Sequence, residues 1–162
     1  MGAHAYAVTI TWTGNKGEGT TGYADYERSH TITAEQKVDI LGSSDTPFRG
    51  DKTRHNPEDM LLASLSSCHM LWYLHLCADA GVIVMEYIDK ATGTMVDTSD
   101  RGCGHFTEVV LHPEMKVTEE WMIEKAIALH DDAHKKCFIA NSVNFPVLHK
   151  PVCKLWQKAE TV

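Results

Sequence analysis

The sequence NPEDMLLASLSSCHMLWYLHLCADAG, residues 56–81, decides the fold. Asn56 is a favourable N-cap, Pro57 suits the first helical position, and the two acids that follow complement the positive end of a helix dipole. Gly81 is a typical C-terminal stop. Between these signals, leucine, methionine, alanine and cysteine occur on every side, a pattern typical of a helix that is buried nearly all round. The stretch therefore predicts a long central helix enclosed by other elements.

Part of this helix also passes the length test for a membrane span. Residues 60–78 contain no Asp, Glu, Lys or Arg. Their polar side chains favour a buried helix in a soluble protein instead; these are Ser64, Ser66, Ser67, His69 and His75. The N-terminus has no basic segment followed by an apolar one, so we predict no targeting signal and no membrane partner.

Composition narrows the class of protein further. A chain of 162 residues with 43% hydrophobic and 23% charged residues predicts a single domain covering residues 1–162. The formal net charge is −7 and there is no long basic run, which argues against a nucleic-acid partner. Five cysteines without a C-x-x-C pair argue against a disulfide scaffold and a structural zinc site. A reducing, cytoplasmic location fits best.

Alternation of apolar and polar residues predicts strands on both sides of the central helix. Residues 6–12 predict a strand with one buried face, which begins an N-terminal meander. The predicted strands cover residues 6–12, 22–33, 37–41, 82–96, 105–117 and 147–157. The order of strands, helix, strands, helix and strand indicates an α+β fold with largely antiparallel sheets around the buried central helix.

A second helix is predicted to open at Thr118 and to bury one face. Its stripe follows the i, i+4, i+7 spacing and comprises Ile123, Ile127, His130, His134 and Cys137. Two histidines and a cysteine on one face could supply three metal ligands, so a metal enzyme stays open as an alternative. The sequence contains no H-E-x-x-H motif, and a His pair at this spacing is common by chance. We therefore expect no metal and no cofactor.

Cysteine is the strongest nucleophile that the sequence offers. Cys68 is one of two equal candidates, because serines and a histidine adjoin it and make a polar notch in an apolar helix. Cys137, beside two lysines at the end of the second helix, is the other candidate. Cys77 and Cys153 are expected to be buried apolar residues, and Cys103, between two glycines, to be exposed without a role.

These residues resemble the OsmC/Ohr family, the osmotically inducible and organic hydroperoxide resistance proteins. The likeness rests on Asn-Pro-Glu at residues 56–58, on Cys68, and on the run KCFIANS around Cys137, and it extends from about residue 6 to residue 152. Phe138 departs from the proline that often follows the second cysteine in the family.

The resemblance implies a thiol-dependent peroxidase that forms an intertwined homodimer. It implies that Cys68 is the peroxidatic thiol, that Cys137 resolves it as a disulfide, and that Glu58 and an arginine activate Cys68. We favour Arg49 as that arginine; the other candidates are Arg28 and Arg54. The implied substrates are organic hydroperoxides and also hydrogen peroxide, with a thiol or lipoyl-type reductant.

Helix geometry adds two constraints to this reading. Ten residues at 1.5 Å rise separate Glu58 from Cys68 by about 15 Å, so a Glu58 that serves Cys68 must come from the partner chain of a dimer. Cys77, about 13 Å along the same helix, cannot form a disulfide with Cys68. Cys137 is the best remaining partner, and its helix should pack beside the central one.

A binding function remains the alternative to an enzyme. The same fold could enclose a hydrophobic pocket for a small lipid or acyl ligand, with the cysteines as part of its lining. Such a protein would not consume peroxide in the presence of a dithiol.

Overall fold

A computed structural model describes residues 2–97 and 103–158. The chain divides into two compact units, Met1–Leu61 and Leu62–Val162. In chain order the strands and helices are β1 (Thr9–Trp12), β2 (His30–Thr33), β3 (Ile40–Gly42), α1 (Pro57–Asp79), β4 (Val84–Asp89), β5 (Thr92–Val96), β6 (His105–Leu111), β7 (Pro113–Val117), α2 (Met122–Lys136), β8 (Val147–His149) and β9 (Val152–Leu155).

The first unit contains the predicted meander, an antiparallel sheet of order β1-β2-β3. Its second strand is much shorter than the run 22–33 predicted, because the chain bends before His30. The Arg28 guanidinium donates hydrogen bonds to the carbonyls of Tyr26 at 2.6 Å and Tyr23 at 2.7 Å. If the strand began at residue 22 as predicted, these carbonyls would accept hydrogen bonds from a neighbouring strand. Here they accept from the Arg28 side chain instead.

The prediction of a buried face on the first strand is wrong for the single chain. Ile10 is 58% exposed, and Trp12 is 43% exposed. The alternation that predicted the strand is present, but no described residue of this unit covers its apolar side chains sufficiently to bury them.

Helix α1 has the predicted limits. The Asn56 side chain accepts a hydrogen bond from the backbone N–H of Asp59 at 2.7 Å, which is the N-cap contact that the sequence signals. The helix ends two residues before Gly81, which adopts a left-handed φ of 73°. α1 is long and apolar enough to cross a membrane by length and composition, a test that the core helix of a soluble protein also passes.

The prediction that α1 is buried on nearly every side is also wrong for the single chain. Its fully buried residues form one stripe at intervals of four, comprising Leu65, His69, Tyr73 and Cys77. Leu71, on another face, is 64% exposed. Helix α1 therefore carries more apolar side chains than the other residues of this chain bury.

The second unit contains two three-stranded sheets, of order β4-β7-β9 and β5-β6-β8. The predicted strands 82–96 and 105–117 each divide in two, and each half joins a different sheet. The two breaks lie beside each other, because β4 ends at Asp89 and β6 ends just before His112. There the Asp89 carboxylate accepts a hydrogen bond from the backbone N–H of His112 at 2.7 Å. Pro113 follows, pairs with Asp89 in the ladder, and has no N–H to donate.

The last predicted strand, 147–157, also divides, at Lys150 and Pro151. Its halves pair in parallel with the central strands, β8 with β6 and β9 with β7. The two sheets of this unit are therefore mixed, while four of the six strand pairings in the described residues are antiparallel, as the predicted α+β fold expects.

Helix α2 starts at Met122, after a turn in which the carbonyl of Glu119 accepts from the N–H of Met122, so it begins later than the predicted opening at Thr118. The buried face of α2 also differs from the predicted one, because most of its buried residues lie one position before the predicted ones. The buried residues of α2 are Met122, Ala126, His130 and Ala133. Ile127 is 39% exposed. This stripe packs with Tyr73, Cys77, Met115 and Val117 in the core of the unit.

We predict that Asn56→Ala lowers the free energy of unfolding by about 1 kcal/mol, because it removes the N-cap hydrogen bond of α1. Chemical denaturation measures this change. Asn56→Ser, which retains a capping oxygen, should recover most of the loss. Equal stability of the wild type and Asn56→Ala would contradict the capping role.

Candidate active site

Two of the predicted site residues meet in the second unit. Cys68 lies in the middle of α1, and Cys137 is the residue at which α2 ends. Their thiols lie within hydrogen-bonding range of each other, and both cysteines are reduced. Cys68 is half-buried, whereas Cys137 is 1% exposed. The prediction that the second helix packs beside the central helix at the cysteines is therefore confirmed.

Cys137 is surrounded by groups with opposing effects on its ionisation. Burial raises the pKa of the Cys137 thiol to about 11, and the neighbouring Cys68 thiol adds to the rise. Backbone N–H groups act in the other direction: the N–H of Ala140 points at the Cys137 sulfur at 3.4 Å, and that of Ile139 also contributes. Burial prevails, so Cys137 is a thiol and not a thiolate at neutral pH.

The other three cysteines differ in burial. Burial raises the pKa of both the Cys77 and Cys153 thiols. Cys77 is buried as predicted, Cys153 is half-buried, and Cys103 is exposed.

An aromatic and cationic rim flanks the thiol pair. Trp72 lies one helical turn after Cys68, and its ring meets that of Phe138 edge to face, with the centroids 5.7 Å apart. The Lys136 ammonium lies 5.4 Å from the centre of the Trp72 ring. Phe138, at the position where the family often has proline, is 66% exposed.

The polar side chains of the notch around Cys68 have hydrogen-bond partners, both within α1 and on other elements. The Ser66 hydroxyl donates to the Asp89 carboxylate at 2.5 Å. The Ser67 hydroxyl donates to the Ser64 carbonyl at 3.3 Å, within the helix. His69 pairs with a histidine of α2.

This histidine pair is the centre of a buried cluster. His69 Nε2 and His130 Nδ1 share a hydrogen bond of 2.8 Å, and both rings are at most 1% exposed. Tyr73 stacks on His130 with a centroid distance of 4.0 Å. The ring centroid of His149, from β8, lies 5.7 Å from that of His69. His149 Nε2 is hydrogen-bonded to the Asp131 carboxylate at 3.0 Å.

Desolvation governs the charge of the pair. Burial lowers the pKa of His69 to about 4 and that of His130 to about 3, with smaller effects from the neighbouring histidines. Both imidazoles are therefore neutral at neutral pH. The sequence places His69 in the notch and His130 on a helical stripe, but nothing in it indicates that His149 joins them.

The metal-site alternative of His130, His134 and Cys137 finds no support. Within residues 2–97 and 103–158, no group of three or more His, Cys, Asp or Glu side chains has an arrangement that could hold a metal ion.

The other predicted site residues belong to the first unit. Glu58 is in the first turn of α1. Arg28 is held by two tyrosine carbonyls and by both tyrosine rings, each 4.2 Å away, and Arg54 pairs with Asp51 at 3.5 Å. Arg49 is exposed, and no carboxylate among the described residues pairs with it. Of the three candidate arginines, it is the one that this chain leaves available.

Comparison with known proteins agrees with this architecture. The profile of the OsmC-like protein family matches residues 50–150. An OsmC-like protein of unknown function from Vibrio cholerae is 30% identical over 93% of this chain and 100% of its own, with a TM-score of 0.81. No curated protein matches.

Two more distant structures share the fold. An organic hydroperoxide resistance protein from Elizabethkingia anophelis is 17% identical, covers 95% of this chain and 98% of its own, and has a TM-score of 0.67. Another from Bacillus subtilis is 18% identical, with 93% and 98% covered and a TM-score of 0.63. At these identities the likeness concerns the fold alone.

The neutral histidine pair predicts acid sensitivity. An unfolded histidine gains a proton below its ordinary pKa of 6.5, whereas His69 and His130 in the folded chain do so only near pH 4 and 3. Between these limits the unfolded state binds more protons, so stability is full above pH 6.5 and falls as the pH falls, by about 1.4 kcal/mol per pH unit for each histidine. Denaturant titrations from pH 7 to 4 measure this slope.

The matched control for this measurement is His105→Phe, which removes an exposed histidine. It should keep the wild-type slope. A wild-type slope that survives the replacement of both His69 and His130 by phenylalanine would contradict the assignment.

Proposed function

The chain belongs to the OsmC/Ohr family, and on that premise we propose that it is a thiol-dependent peroxidase that reduces organic hydroperoxides, with hydrogen peroxide as a further substrate. The observation that carries the proposal is the contact between the Cys68 and Cys137 thiols, two residues that lie 69 positions apart in sequence. A two-cysteine peroxidase requires such a pair, because the oxidised thiol must meet a second thiol to form a disulfide.

The different surroundings of the two thiols support a division of roles. Cys68, in the middle of α1, is half-buried, so a peroxide can reach it, whereas Cys137 is buried and protonated. Peroxide attack needs a thiolate, which disfavours Cys137 as the first nucleophile. Cys68 is therefore the peroxidatic residue of the proposal, and Cys137 is the resolving one.

The proposed cycle has three steps. The Cys68 thiolate attacks the terminal oxygen of the hydroperoxide, the O–O bond breaks, and protonation releases an alcohol and leaves a sulfenic acid. The Cys137 sulfur then attacks the Cys68 sulfur, an S–S bond forms, and water leaves with the Cys137 proton. An external dithiol, of thiol or lipoyl type and available in a reducing cytoplasm, restores both thiols by exchange.

Ionisation of the first thiol needs a cation, and none of the contacts described in the second unit supplies one at the Cys68 sulfur. In the proposal Arg49 has this role, held by Glu58. Because Glu58 lies about 15 Å along α1 from the cysteine of its own chain, the pair comes from a second copy in a homodimer.

The surface of the chain is consistent with such a dimer. Large apolar side chains are exposed on α1 and near the N-terminus, among them Leu71 at 64%, Tyr6 at 89% and Val8 at 65%. Exposed apolar surface of this extent commonly marks an interaction site.

The thiol roles are tested with single substitutions. We predict that Cys68→Ser abolishes turnover of cumene hydroperoxide, because the nucleophile is lost. Cys137→Ser should consume about one equivalent of peroxide and accumulate a sulfenic acid that dimedone traps. Mass spectrometry and a peroxide assay with added dithiol measure both results.

Cys153→Ser is the matched control, since it removes a half-buried thiol outside the pair, and it should retain wild-type turnover. Full activity of Cys68→Ser would refute the proposal. An inactive wild type that retains a small apolar ligand in native mass spectrometry would favour the binding function instead.

The activating arginine is tested by its effect on pH dependence. An ordinary thiol is about 3% ionised at pH 7 and about 75% ionised at pH 9, so we predict that Arg49→Gln slows the first oxidation by about 30-fold at pH 7 and by less than about two-fold at pH 9. Stopped-flow tryptophan fluorescence measures this step. Arg54→Gln is the control and should behave like the wild type. Equal rates of Arg49→Gln and wild type at pH 7 would exclude Arg49.

The origin of Glu58 is tested by mixing two inactive variants. Neither Glu58→Gln nor Cys68→Ser alone contains a complete site. If Glu58 acts across a dimer, a one-to-one mixture that exchanges subunits gains one intact site in half of its dimers, or about a quarter of wild-type activity. If Glu58 acts within its own chain, the mixture stays inactive.

A further inference from the structure

The histidine pair His69–His130 has no role in the cycle above, although it lies between the two helices that carry the thiols. His69 directly follows Cys68 on α1, and His130 lies two turns before Cys137 on α2. We propose that this pair is a positioning element: it holds Cys137 against Cys68 for disulfide formation, and it does so only while both imidazoles are neutral. The inference rests on the proposed function and concerns its second step.

The hydrogen bond between the rings gives the helix contact a defined register. Apolar packing between α1 and α2 is non-directional, whereas the hydrogen bond between His69 Nε2 and His130 Nδ1 requires one alignment. A shift of α2 by one residue, about 1.5 Å, would break this bond and leave two buried ring nitrogens unpaired. Stacking of Tyr73 on His130, at 4.0 Å and 15°, further restricts the ring.

The register of α2 at His130 is transmitted to Cys137. The helix is continuous from Met122 to Lys136, and seven residues place Cys137 about 10.5 Å further along the axis. The N–H of Cys137 still bonds to the His134 carbonyl at 3.2 Å, so this residue moves with the helix. A disulfide requires Cβ atoms about 3.5–4.5 Å apart, a range about 1 Å wide. A shift of α2 by one residue, about 1.5 Å, is larger than this range.

The surroundings of the pair accommodate only the neutral state. His69 Nδ1 and His130 Nε2 have no hydrogen-bond partner, so an added proton would find no acceptor. The groups that face the pair are Tyr73 on α1, His134 on α2 and His149 on β8, none of which is an anion at neutral pH.

The carboxylate in this cluster does not compensate a charge on the pair. Asp131 bonds to His149, and Tyr87, which contacts Tyr73 from β4, keeps a neutral hydroxyl because burial raises its pKa. Two protonated rings would also place N–H against N–H at the shared bond. Protonation should therefore loosen the contact between α1 and α2.

The positioning role is measured without peroxide, so that it does not depend on the proposed catalysis. The Cys68 thiolate attacks a dipyridyl disulfide, the S–S bond of the probe breaks, one thiopyridone leaves, and Cys68 becomes a mixed disulfide with the other pyridylthio group. Cys137 then attacks the Cys68 sulfur, the bond to thiopyridine breaks, and thiopyridone leaves with the proton. Acid quench, alkylation and peptide mass spectrometry follow the Cys68–Cys137 disulfide with time, and circular dichroism verifies folding at each pH.

Three variants separate positioning from general stability. His130→Phe leaves His69 without its partner, and we expect about a ten-fold slower second step at pH 7 with the first step changed less than about two-fold. The double variant His69→Phe, His130→Phe replaces both polar groups by rings of similar shape, and its second step should recover to within about three-fold of wild type. His105→Phe, on the exposed part of β6, is the control and should not differ from wild type.

The pH profile distinguishes a positioning pair from a merely structural one. The ratio of the wild-type rate to the double-variant rate cancels the ionisation of the thiols themselves. With the pKa of His69 near 4 and that of His130 near 3, the fraction with both rings neutral, and with it this ratio, should fall about two-fold at pH 4 and about 20-fold at pH 3.

The possible results are decisive. A folded His130→Phe with an unchanged second step, or a ratio that stays constant with pH, would overturn the positioning role. If His130→Phe does not fold, the ratio alone decides. If the wild type forms the disulfide with the pyridyl probe but does not react with hydroperoxides, the proposed function fails while this inference stands.

Discussion

The buried seam between α1 and α2 is the contact on which the candidate site depends. On α1 it consists of a stripe at four-residue intervals that includes His69 and Tyr73. On α2 it includes His130 and ends at Cys137. Cys68 precedes His69 by one residue, about 100° around the helix, so it lies at the margin of the seam and not within it. The seam therefore ends where one accessible and one buried thiol meet.

This placement gives the two thiols different chemistry. Burial keeps Cys137 protonated, which in the proposed cycle would prevent it from competing for peroxide. The N–H groups of Ile139 and Ala140 point at its sulfur and would stabilise the negative charge that develops there when it attacks. These donors are available because the chain leaves the helix at Cys137 and turns at once into the short 3-10 helix Ala140–Ser142. Burial thus keeps the second sulfur protonated at rest, and the local turn would support its charge during the proposed attack.

Local signals in the sequence predicted the elements that depend on neighbouring residues. The limits of α1 follow from its N-cap at Asn56 and its stop at Gly81, and both are confirmed. Strand boundaries were predicted less well because they depend on distant partners: the break before Pro113 requires the carboxylate of Asp89. The pairing of Cys68 with Cys137 was implied by resemblance, whereas the participation of His149 in the cluster depends on a parallel strand pairing that residue patterns do not encode.

Two discrepancies between sequence and single chain have one common explanation in the proposed dimer. The sequence predicts more burial than the chain achieves, since Ile10 and Leu71 are 58% and 64% exposed. It also contains a carboxylate, Glu58, that the length of α1 keeps about 15 Å from the thiol it is expected to serve. A second copy would cover the apolar surface and bring its own Glu58 and Arg49 towards Cys68. The burial that holds such a dimer together would then also exclude water from the activated thiol, so association and activation would be one event.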